Sequence, residues 1–512
     1  MLAIVPSATI LGARGLPVHV EIDVGGGLPG ITVSGLADTA CREGIHRITA
    51  AVRHAGYSWP ASTHKVVVNL TPPGVRKLGT GLDLPIAVAT LAANSQLPLP
   101  PLEGVAFVGE LGLDGGLRSV SGLVPMVAAL AELPGITSIV VPREAHHEAA
   151  VAGGDLVRSI GFLGELREVV ENGFAWPAPP PPGDDLGPPD VPDLGEVRGQ
   201  PVARRALEVA AAGGHHLLLV GPPGAGKTML ARRLPGILPR LDRVDAVEVT
   251  SVWSAAGMRL PATGLVVDPP FRAPHHGASM AAVVGGGSAY LRPGEASCAH
   301  RGVLFLDEMG EFGPSVLDAL RTPLEEGVVR VARAREAVEL PARFLLVGST
   351  NPCPCGEGGP IGTCRCTGAA RARYLRRLSG PILDRFDLRV EVARPTPEEL
   401  LGRSRGEPSD IVAERVAVAR QRAIERGVRC NADLGAAGLD DHAVPDDAAV
   451  HLLRDAVRTG RLSARGLSRV RAVARTIADL AGLPGPDLPA EHVAAALALR
   501  QPLAGFDLRL AA

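Results

Sequence analysis

Lysine is nearly missing from this sequence of 512 residues. Of the 52 basic residues, Lys65, Lys77 and Lys227 are the only lysines, and arginine supplies the rest. Where a lysine is kept against this background, we expect a position that arginine would not suit, because a guanidinium is larger and planar. Lys227 is therefore the first position to examine.

Aromatic residues and long apolar runs are also scarce. Aromatics make up 3% of the chain, so Ala, Val and Leu must fill the cores of a protein that is otherwise 46% hydrophobic and 21% charged. No uninterrupted apolar run approaches the roughly 20 residues of a membrane span. The first residues lack the basic start and apolar core of a signal peptide. We therefore expect a cytoplasmic protein with no membrane partner.

The order of sequence patterns divides the chain into four parts. Residues 1–175 combine strand and helix patterns, which predicts an α+β domain, and residues 176–192 are proline-dense, which predicts an extended linker. In residues 193–395, apolar runs alternate with helical patterns, which predicts a buried parallel sheet. Residues 396–512 read as helices. The expected fold class is thus multidomain, with an α/β core and an α-helical carboxyl-terminal domain.

A glycine-rich loop, GPPGAGKT, follows the apolar run LLLV and precedes the helical run MLARRL. In this context the pattern is typical of a loop that wraps nucleotide phosphates at the start of a helix. Lys227 would reach the β- and γ-phosphates, and the Thr228 hydroxyl would bind Mg²⁺. The predicted nucleotide-binding residues are Gly221, Pro222, Pro223, Gly224, Ala225, Gly226, Lys227 and Thr228. The expected cofactors are ATP and Mg²⁺.

Polar residues end two further apolar runs. In GVLFLDE, Asp307 is a predicted ligand of hydrated Mg²⁺, and Glu308 is a carboxylate that would polarise the attacking water. The run RFLLVGSTN ends at Asn351, whose amide suits the orientation of that water, although a turn-forming asparagine is the alternative. Two carboxylates at the end of a buried strand are partly removed from water, which costs free energy unless a cation is bound beside them. Together with the phosphate loop, these residues predict ATP hydrolysis.

Arg385 closes the predicted α/β region, between two acidic residues in SGPILDRFDL. Two interpretations are open. The arginine could form a surface ion pair, or it could be a finger that stabilises the γ-phosphate bound by a neighbouring subunit.

Four of the seven cysteines lie close together, as Cys353, Cys355, Cys364 and Cys366. Two close pairs of thiolates can surround a tetrahedral Zn²⁺, and all four would be closed ligands with no open position for catalysis. Reduced free thiols, a redox pair and an iron–sulfur cluster are the alternatives. We therefore predict a structural zinc site that begins two residues after Asn351, the end of the predicted strand.

Together, GPPGAGKT, LFLDE, STNPCPCG, SGPILDRFD and RAVARTIADL resemble the Mg-chelatase-like AAA+ ATPases of the ComM/YifB type, over essentially the whole chain. The resemblance implies that Asn351 is the first sensor and that Arg385 acts in trans as the finger. It also implies that Arg465, near the start of a late helix, is the second sensor. A homo-oligomeric ring, expected to be a hexamer, follows because hydrolysis then needs an arginine from the next protomer.

The N-terminal part resembles the Lon-protease-like relatives of the ribosomal-S5-like fold. At the positions where those proteases carry the nucleophilic serine and the lysine base, this chain has Gly81 and Val124. Neither side chain can perform covalent catalysis or proton transfer. We therefore expect no protease activity. Lys77, just upstream of the first segment, is a candidate anion contact or a solvated surface lysine.

Arginine-bearing segments are candidates for contact with a phosphate backbone, because the net charge of -2 leaves only local patches for this. They are Arg330, Arg333 and Arg335 at the tip of a predicted hairpin over residues 327–340, eight arginines against three acids in 365–394, and Arg461, Arg465 and Arg469, which would share one face of a helix. Solvated or ion-paired faces are the alternative. His275 and His276 lie in a segment resembling the family's pore insert and are candidate substrate contacts.

The resemblance favours a DNA translocase or branch-migration helicase that acts on single-stranded or branched DNA, in recombination or DNA uptake. A chelatase-type motor for metal insertion into a tetrapyrrole is the first alternative. Against it, the family's chelatase motor subunits lack the Lon-like domain and the cysteine cluster. A protein-remodelling ATPase is the second alternative, and no residue excludes it.

Overall fold

The structure of the protein is a computed structural model. The residues it describes are 1–98, 100–183, 191–287, 291–332, 337–357, 364–378, 380–402 and 405–500. Within these residues, no helix combines the length and the apolar character needed to cross a membrane. Part of the predicted linker, residues 184–190, lies outside the described residues.

The first part of the chain mixes strands and helices, as its sequence patterns predict. Its strands are β1 (Leu2–Leu11), β2 (Arg14–Gly25), β3 (Gly30–Ser34), β4 (Lys65–Thr71), β5 (Val105–Phe107), β6 (Glu110–Leu111), β7 (Leu117–Arg118), β8 (Ser138–Pro142) and β9 (Val157–Ile160). Its helices are α1 (Thr39–His54), α2 (Asp83–Ala93), α3 (Leu123–Ala131), α4 (His146–Gly153) and α5 (Glu165–Glu171).

A mixed sheet organises this first part, with the strand order β1-β2-β4-β3. Strand β2 pairs antiparallel with β1 and β4, whereas β3 runs parallel to β4. Alternate residues of β2, namely Val18, Val20 and Ile22, are fully buried, because successive side chains of a strand point to opposite faces. Helix α2 is buried along its whole length. A second, parallel sheet has the order β5-β8-β9.

The central part of the chain also combines strands with helices. Its strands are β10 (Leu217–Val220), β11 (Phe271–Arg272), β12 (Gly285–Gly286), β13 (Arg292–Pro293), β14 (Val303–Leu306), β15 (Val328–Ala332), β16 (Ala337–Pro341), β17 (Leu345–Thr350) and β18 (Leu388–Glu391). Its helices are α6 (Pro201–Gly213), α7 (Lys227–Ala231), α8 (Arg243–Ala256), α9 (Met280–Val284), α10 (Glu295–Cys298), α11 (Pro314–Ala319), α12 (Arg321–Glu326), α13 (Gly368–Arg377) and α14 (Gly380–Leu383).

The main sheet of the central part has the order β11-β14-β17-β10-β18, and all of its pairings are parallel. The predicted strands β10, β14 and β17 are buried at every position, which explains why they read as continuous apolar runs. The predicted parallel α/β core is therefore confirmed. Its order brings β14, β17 and β10 side by side, although 124 residues of sequence separate Lys227 from Asn351.

Helices dominate the last part of the chain, as predicted. They are α15 (Pro397–Leu401), α16 (Ser409–Glu425), α17 (Ala436–His442), α18 (Asp447–Arg458), α19 (Ala464–Leu480) and α20 (Ala490–Ala498). The short strands β19 (Val444–Pro445) and β20 (Asp487–Leu488) pair with each other in parallel. One hydrophobic cluster joins these helices to α6 and the main sheet, with Leu207, Val347 and Val473 among its members. The domain boundary at residue 396 stays a prediction, because this core runs across it.

The first part packs against the central part through α3 and α8. The amides of Gly122 and Val124, at the start of α3, donate to the carbonyl (2.8 Å) and the hydroxyl (3.3 Å) of Ser254 on α8. The Ser254 hydroxyl donates in turn to Glu148 at 2.6 Å. Backbone amides at the start of a helix have no hydrogen-bond acceptor within that helix. Ser254 of the central part therefore supplies acceptors that the start of α3 in the first part lacks.

Candidate active site

The polar residues that end three neighbouring strands lie at one edge of the main sheet, here named the carboxyl edge. The phosphate loop, residues 221–228, follows β10, Asp307 and Glu308 follow β14, and Asn351 follows β17. Because β14, β17 and β10 are adjacent and parallel, their carboxyl ends meet at the same edge. The sheet therefore brings together motifs that are far apart in sequence.

The phosphate loop holds Lys227 against its own backbone. Gly226 has φ +92°, a left-handed conformation that side chains disfavour, and it lets helix α7 begin at Lys227. The Lys227 ammonium donates to the carbonyls of Gly221 (2.6 Å) and Pro222 (3.0 Å) and to Asn351 Oδ1 (3.0 Å). The lysine and the predicted sensor are thus in direct contact. A compact ammonium fits this pocket, where only 9% of the residue is exposed.

Burial lowers the pKa of Lys227, while the nearby carboxylates of Asp307 and Glu308 raise it. A positive charge that is partly removed from water gains more from an added anion than an exposed one does, because screening is weaker. The electrostatics of the loop therefore favour an anionic ligand beside Lys227.

Thr228 and Asp307 form the centre of a polar cluster beside the loop. The Thr228 hydroxyl donates to Asp307 Oδ2 at 2.8 Å, and the Ser349 hydroxyl donates to Asp307 Oδ1 at 2.5 Å. Hydroxyl and carboxylate oxygens are hard ligands of the kind that Mg²⁺ prefers. The donor set of Thr228 and Asp307 therefore fits the predicted magnesium ion, with Ser349 orienting the carboxylate.

Glu308 has a left-handed backbone, with φ 49° and ψ 48°. This conformation costs a non-glycine residue about 1–3 kcal/mol, so the surroundings must maintain it. The Glu308 amide donates to Asp307 Oδ1 (3.1 Å) and to Ser349 Oγ (3.3 Å). Its side chain stays 58% exposed and lies 3.7 Å from His276 Nδ1. The left-handed turn therefore gives the two acidic side chains different surroundings: Asp307 accepts from Thr228, whereas Glu308 is exposed to solvent.

Arg385 lies at the opposite edge of the sheet, here named the amino edge. It precedes β18, and its guanidinium forms an ion pair with Glu325 on α12. Arg465, on α19, lies 3.5 Å from the same carboxylate. Only 5% of the Arg385 side chain is exposed, and burial lowers the pKa of its guanidinium. The predicted finger and the predicted second sensor thus share one acidic partner.

The two edges are separated by the length of the strands. Strand β18 pairs in parallel with β10, with Leu388 opposite Leu217 and Glu391 opposite Val220. Arg385 lies before the first of these pairs and the phosphate loop follows the last, so the strands alone separate them by roughly 10 Å at about 3.3 Å per residue. Arg385 is therefore remote from the phosphate loop of its own chain.

Asp387 anchors the amino edge. It accepts a hydrogen bond from the His216 amide at 3.0 Å and pairs with Arg469 of α19 at 2.5 Å. Burial lowers the pKa of His216 to about 4, so this ring is neutral near pH 7. A cavity of about 1080 Å³ opens beside these residues and is lined in part by Glu325 and Arg465. The structure thus has open space next to Glu325, the partner of the predicted finger.

The four clustered cysteines follow Asn351 at the carboxyl edge. Their sulfurs all lie within 4.8 Å of one another, and Cys353 is fully buried. Cys353 Sγ is 3.3 Å from Cys355 Sγ and 3.5 Å from Cys364 Sγ. The Cys355 amide donates to Cys366 Sγ at 3.3 Å. This set of atoms can hold a metal ion.

Models of protein families match three parts of the chain. Residues 20–145 match subunit ChlI of Mg-chelatase, residues 193–400 match magnesium chelatase, subunit ChlI, and residues 406–500 match the ChlI C-terminal model. The parallel sheet and the phosphate loop both lie within the second match.

Full-length relatives extend this similarity. The chain is 44% identical over 499 residues to an uncharacterized protein of Mycobacterium tuberculosis, covering 97% of this chain and 98% of that one. It is 40% identical over 484 residues to the uncharacterized protein YifB of Escherichia coli, covering 94% and 93%. It is 40% identical over 490 residues to the competence protein ComM of Haemophilus influenzae, covering 94% of each.

The chain belongs to the Mg-chelatase-like family of the ComM/YifB type. The resemblance predicted from the motifs is therefore confirmed. In this Mg-chelatase-like protein, the α/β core is the part that carries the phosphate loop.

The structure also identifies site residues that sequence reasoning missed. Ser349 orients Asp307, Glu325 binds the predicted finger, and the Tyr374 hydroxyl lies 2.9 Å from Thr350 Oγ1 beside Asn351. His276, a candidate substrate contact, lies next to Glu308, and its contact with substrate stays a prediction. Ser349 could have been found from its place near the end of β17, two residues before Asn351. The other contacts have no local sequence signal.

The predicted basic segments have several outcomes. Strands β15 and β16 form the expected antiparallel hairpin, but its tip, with Arg333 and Arg335, lies outside the described residues. Arg330 pairs with Glu326 and Glu339. The predicted common helix face of Arg461, Arg465 and Arg469 is wrong in part, because α19 begins at Ala464 and Arg461 precedes it.

The protease-like positions lie among apolar groups. A side chain added at Gly81 would contact Val120, Val108 and Met126, and Val124 is fully buried. The prediction of a surface lysine at position 77 is wrong, because Lys77 is fully buried and its ammonium donates to the Pro72 carbonyl. This lysine is therefore not available to an external anion.

Proposed function

We propose that the protein is an ATP-hydrolysing AAA+ motor that works as a ring. The observation that carries this proposal is the carboxyl edge, where Lys227 contacts Asn351 and Thr228 contacts Asp307. These contacts bring the phosphate loop, the acid pair and the predicted sensor within reach of one nucleotide. The family supports the same activity.

Each residue of the carboxyl edge has a distinct role in this proposal. When nucleotide binds, the Lys227 ammonium gives up its hydrogen bonds to the loop carbonyls and donates to the β- and γ-phosphates, because hydrogen bonds to charged oxygens are stronger. Thr228 and Asp307 hold Mg²⁺, which neutralises charge on the phosphates when bound. Glu308 accepts the proton of the attacking water, and Asn351 orients that water. His276 is positioned to pair with Glu308 between turnovers.

The amino edge supplies the other half of the catalytic machinery. Arg385 lies at the opposite edge from its own phosphate loop, and Arg465 shares its partner Glu325, so we propose that both act on the nucleotide of the next protomer. An arginine supplied in trans stabilises the charge that develops in phosphoryl transfer. The arrangement requires a closed homo-oligomeric ring, and the family resemblance favours a hexamer.

DNA is the proposed substrate of the motor. ComM of Haemophilus influenzae is named a competence protein, and this chain matches it over nearly its full length. The hairpin β15–β16 and the arginine-rich stretch of residues 365–394, apart from the buried Arg385, are proposed to contact the phosphate backbone of single-stranded or branched DNA. Such contacts are independent of sequence and weaken with salt. We propose branch migration during DNA uptake or recombination, in the cytoplasm.

The remaining parts have supporting roles in this proposal. We assign the first part to the Lon-protease-like, ribosomal-S5-like fold without a protease dyad, since Gly81 and Val124 carry no reactive group. We assign the helices after residue 396 to the lid of the ATPase, and Zn²⁺ to the cysteine cluster as a structural ion. The core that these helices share with α6 supports a lid that moves with the nucleotide site.

The decisive experiment is ATP-dependent disruption of a synthetic four-way junction or D-loop by the purified protein at low salt. We expect disruption by the native protein and none by Glu308→Gln, which should still bind ATP. ATPase rates should also rise with branched DNA. If no DNA form is disrupted and none accelerates hydrolysis, the DNA proposal is refuted.

A chelatase-type motor is the second candidate, because all three matching family models describe a magnesium chelatase subunit. The same ATPase assay, with a partner extract that inserts metal into a tetrapyrrole, separates the two candidates. Acceleration by that extract alone would favour the chelatase function.

A further inference from the structure

The cysteine segment, here residues 351–357 and 364–367, carries the four clustered cysteines and is fastened at its two outer ends near the candidate nucleotide site; residues 358–363 lie outside the described residues. At its start, Asn351 accepts a hydrogen bond from Lys227 at 3.0 Å. At its end, Thr367 caps α13 by accepting from the Ala370 amide at 3.2 Å. Helix α13 returns to the sheet through Tyr374, whose hydroxyl lies 2.9 Å from Thr350 Oγ1.

The cysteine sulfurs fit a tetrahedral zinc ion. Four ligands at about 2.3 Å from Zn²⁺ would lie about 3.8 Å from one another. The measured Sγ separations are 3.3 Å for Cys353 and Cys355, 3.5 Å for Cys353 and Cys364, and 3.6 Å for Cys355 and Cys364. All four sulfurs lie within 4.8 Å of one another. Four thiolates fill the coordination of Zn²⁺, so the site is of the closed, structural kind.

The cysteine segment packs directly on the phosphate loop. Gly356 has φ +81°, and a side-chain carbon added there would lie 2.4 Å from Cδ and 2.7 Å from Cγ of Pro223. No side chain fits at that distance, so glycine is needed for the close approach. Pro223 belongs to the loop that begins at Gly221. The position of the cysteine segment therefore limits the position of the phosphate loop.

Helix α13, which directly follows the segment, packs on the turn that comes after the acid pair. An added side-chain carbon at Gly310 would lie 2.6 Å from the Tyr374 ring. Arg377, also on α13, pairs with Glu311 at 3.0 Å. Gly310 and Glu311 belong to the helical turn that follows Glu308. The cysteine segment and α13 together thus connect the phosphate loop to the turn that follows the acid pair.

We infer that Zn²⁺ bound by Cys353, Cys355, Cys364 and Cys366 holds the phosphate loop in its binding conformation, so that nucleotide affinity depends on the metal. The inference rests on the proposed role of the phosphate loop as the ATP site. A closed metal site contributes folding free energy to the segment that supplies its ligands. When the ion leaves, the segment loosens, and Pro223 loses the surface against which the loop rests.

Metal content and nucleotide affinity test this inference on the full chain. We expect one zinc ion per chain by elemental analysis, and about tenfold weaker binding of a fluorescent ATP analogue after removal of the metal by a chelator, equivalent to about 1.4 kcal/mol. Re-addition of Zn²⁺ should restore the affinity. Protein that is metal-free as purified and binds nucleotide equally tightly would overturn the inference.

Two variants separate metal binding from contact with the loop. Cys364→Ala should lose both zinc and affinity, whereas Cys298→Ala, which removes a buried cysteine outside the cluster, should keep both. Gly356→Ala should keep zinc but weaken nucleotide binding. Its matched control is Gly368→Ala, because an added side chain there contacts nothing within 4 Å.

The outcomes also separate this inference from the proposed function. If Cys364→Ala loses zinc but binds nucleotide with native affinity, the coupling is refuted and the ATPase stands. If the zinc-loaded native protein binds no nucleotide, both the ATPase proposal and the coupling are refuted. Circular dichroism melting of each variant excludes general unfolding as the cause of a lost affinity.

Discussion

The carboxyl and amino edges of the main sheet differ in what they hold and in how they hold it. At the carboxyl edge, the Lys227 ammonium donates hydrogen bonds to Asn351 and to carbonyls of its own loop, and all of these acceptors are neutral. At the amino edge, Arg385 and Arg465 are held by the carboxylate of Glu325. Among the described residues, Lys227 is thus free of a direct ion pair and can receive an anion, although Asp307 and Glu308 lie nearby, whereas the two arginines of the amino edge are already paired with a carboxylate.

The difference teaches why one chain is not enough for the proposed reaction. The strands of the sheet separate the two edges, and a side chain at the amino edge does not reach the phosphate loop of its own chain. A second copy would bring its amino edge to the first copy's nucleotide. In the proposed ring, Glu325 would hold Arg385 in place of the γ-phosphate until two copies meet.

Removal of the lysine at the carboxyl edge should have the largest effect. Lys227→Ala leaves the phosphates without their buried positive charge, so we expect ATPase activity to fall about 1,000-fold, with loss of nucleotide binding. ATPase assays and fluorescent-nucleotide titration measure this. Lys65→Ala is the control, because Lys65 is exposed on β4. Turnover within a few-fold of native would contradict the assignment of the phosphate loop.

Removal of the finger at the amino edge should have the next largest effect. Arg385→Ala should still bind ATP but hydrolyse it about 100-fold more slowly, because a charge that stabilises the transition state is lost. Arg458→Ala, at an exposed ion pair, should be nearly neutral.

Mixed assemblies test whether the finger acts in trans. A mixture of Arg385→Ala and Lys227→Ala chains contains interfaces with one intact carboxyl edge and one intact amino edge, so some turnover should return. If no mixing ratio restores any turnover, the assignment of Arg385 to the neighbouring nucleotide is wrong.

The smallest effect is expected at Glu325. Glu325→Gln removes the charge that holds Arg385 and Arg465, so ATP competes with a weaker partner. The ATP concentration for half-maximal turnover should fall about threefold, a small effect because the Glu325 side chain is half exposed and its charge is screened by water. Steady-state titration of ATP measures the change. Glu326→Gln, on the same helix but paired with Arg330, is the matched control. An unchanged or higher half-maximal concentration in Glu325→Gln would argue against competition.

Local patterns predicted the carboxyl edge well. The phosphate loop, the acid pair and Asn351 each follow a buried apolar strand, and parallel strands bring their carboxyl ends together without further information. The scarcity of lysine singled out Lys227 because a buried loop needs a compact charge. The contact between Lys227 and Asn351, across 124 residues, follows from that strand order.

The amino edge was less predictable. Arg385 could be a surface ion pair or a finger from sequence alone, and the structure gives it a partner, Glu325, that belongs to a helix 60 residues earlier. The start of α19 at Ala464 also places Arg461 outside the helix, where a spacing of four residues suggested otherwise. Both outcomes depend on where helices begin and which faces they bury, which short-range spacing does not specify.

The sequence by itself determined the family, the parallel sheet and the residues that we propose for nucleotide binding, because motif spacing and apolar runs are local properties of the chain. Only the tertiary structure decided that Glu325 forms an ion pair with Arg385, the predicted finger, and that Lys77 is buried. It also decided that Tyr374 and Gly356 connect the cysteine cluster to the candidate active site. These contacts join elements distant in sequence. Their partners are chosen by packing, which leaves no pattern at either residue.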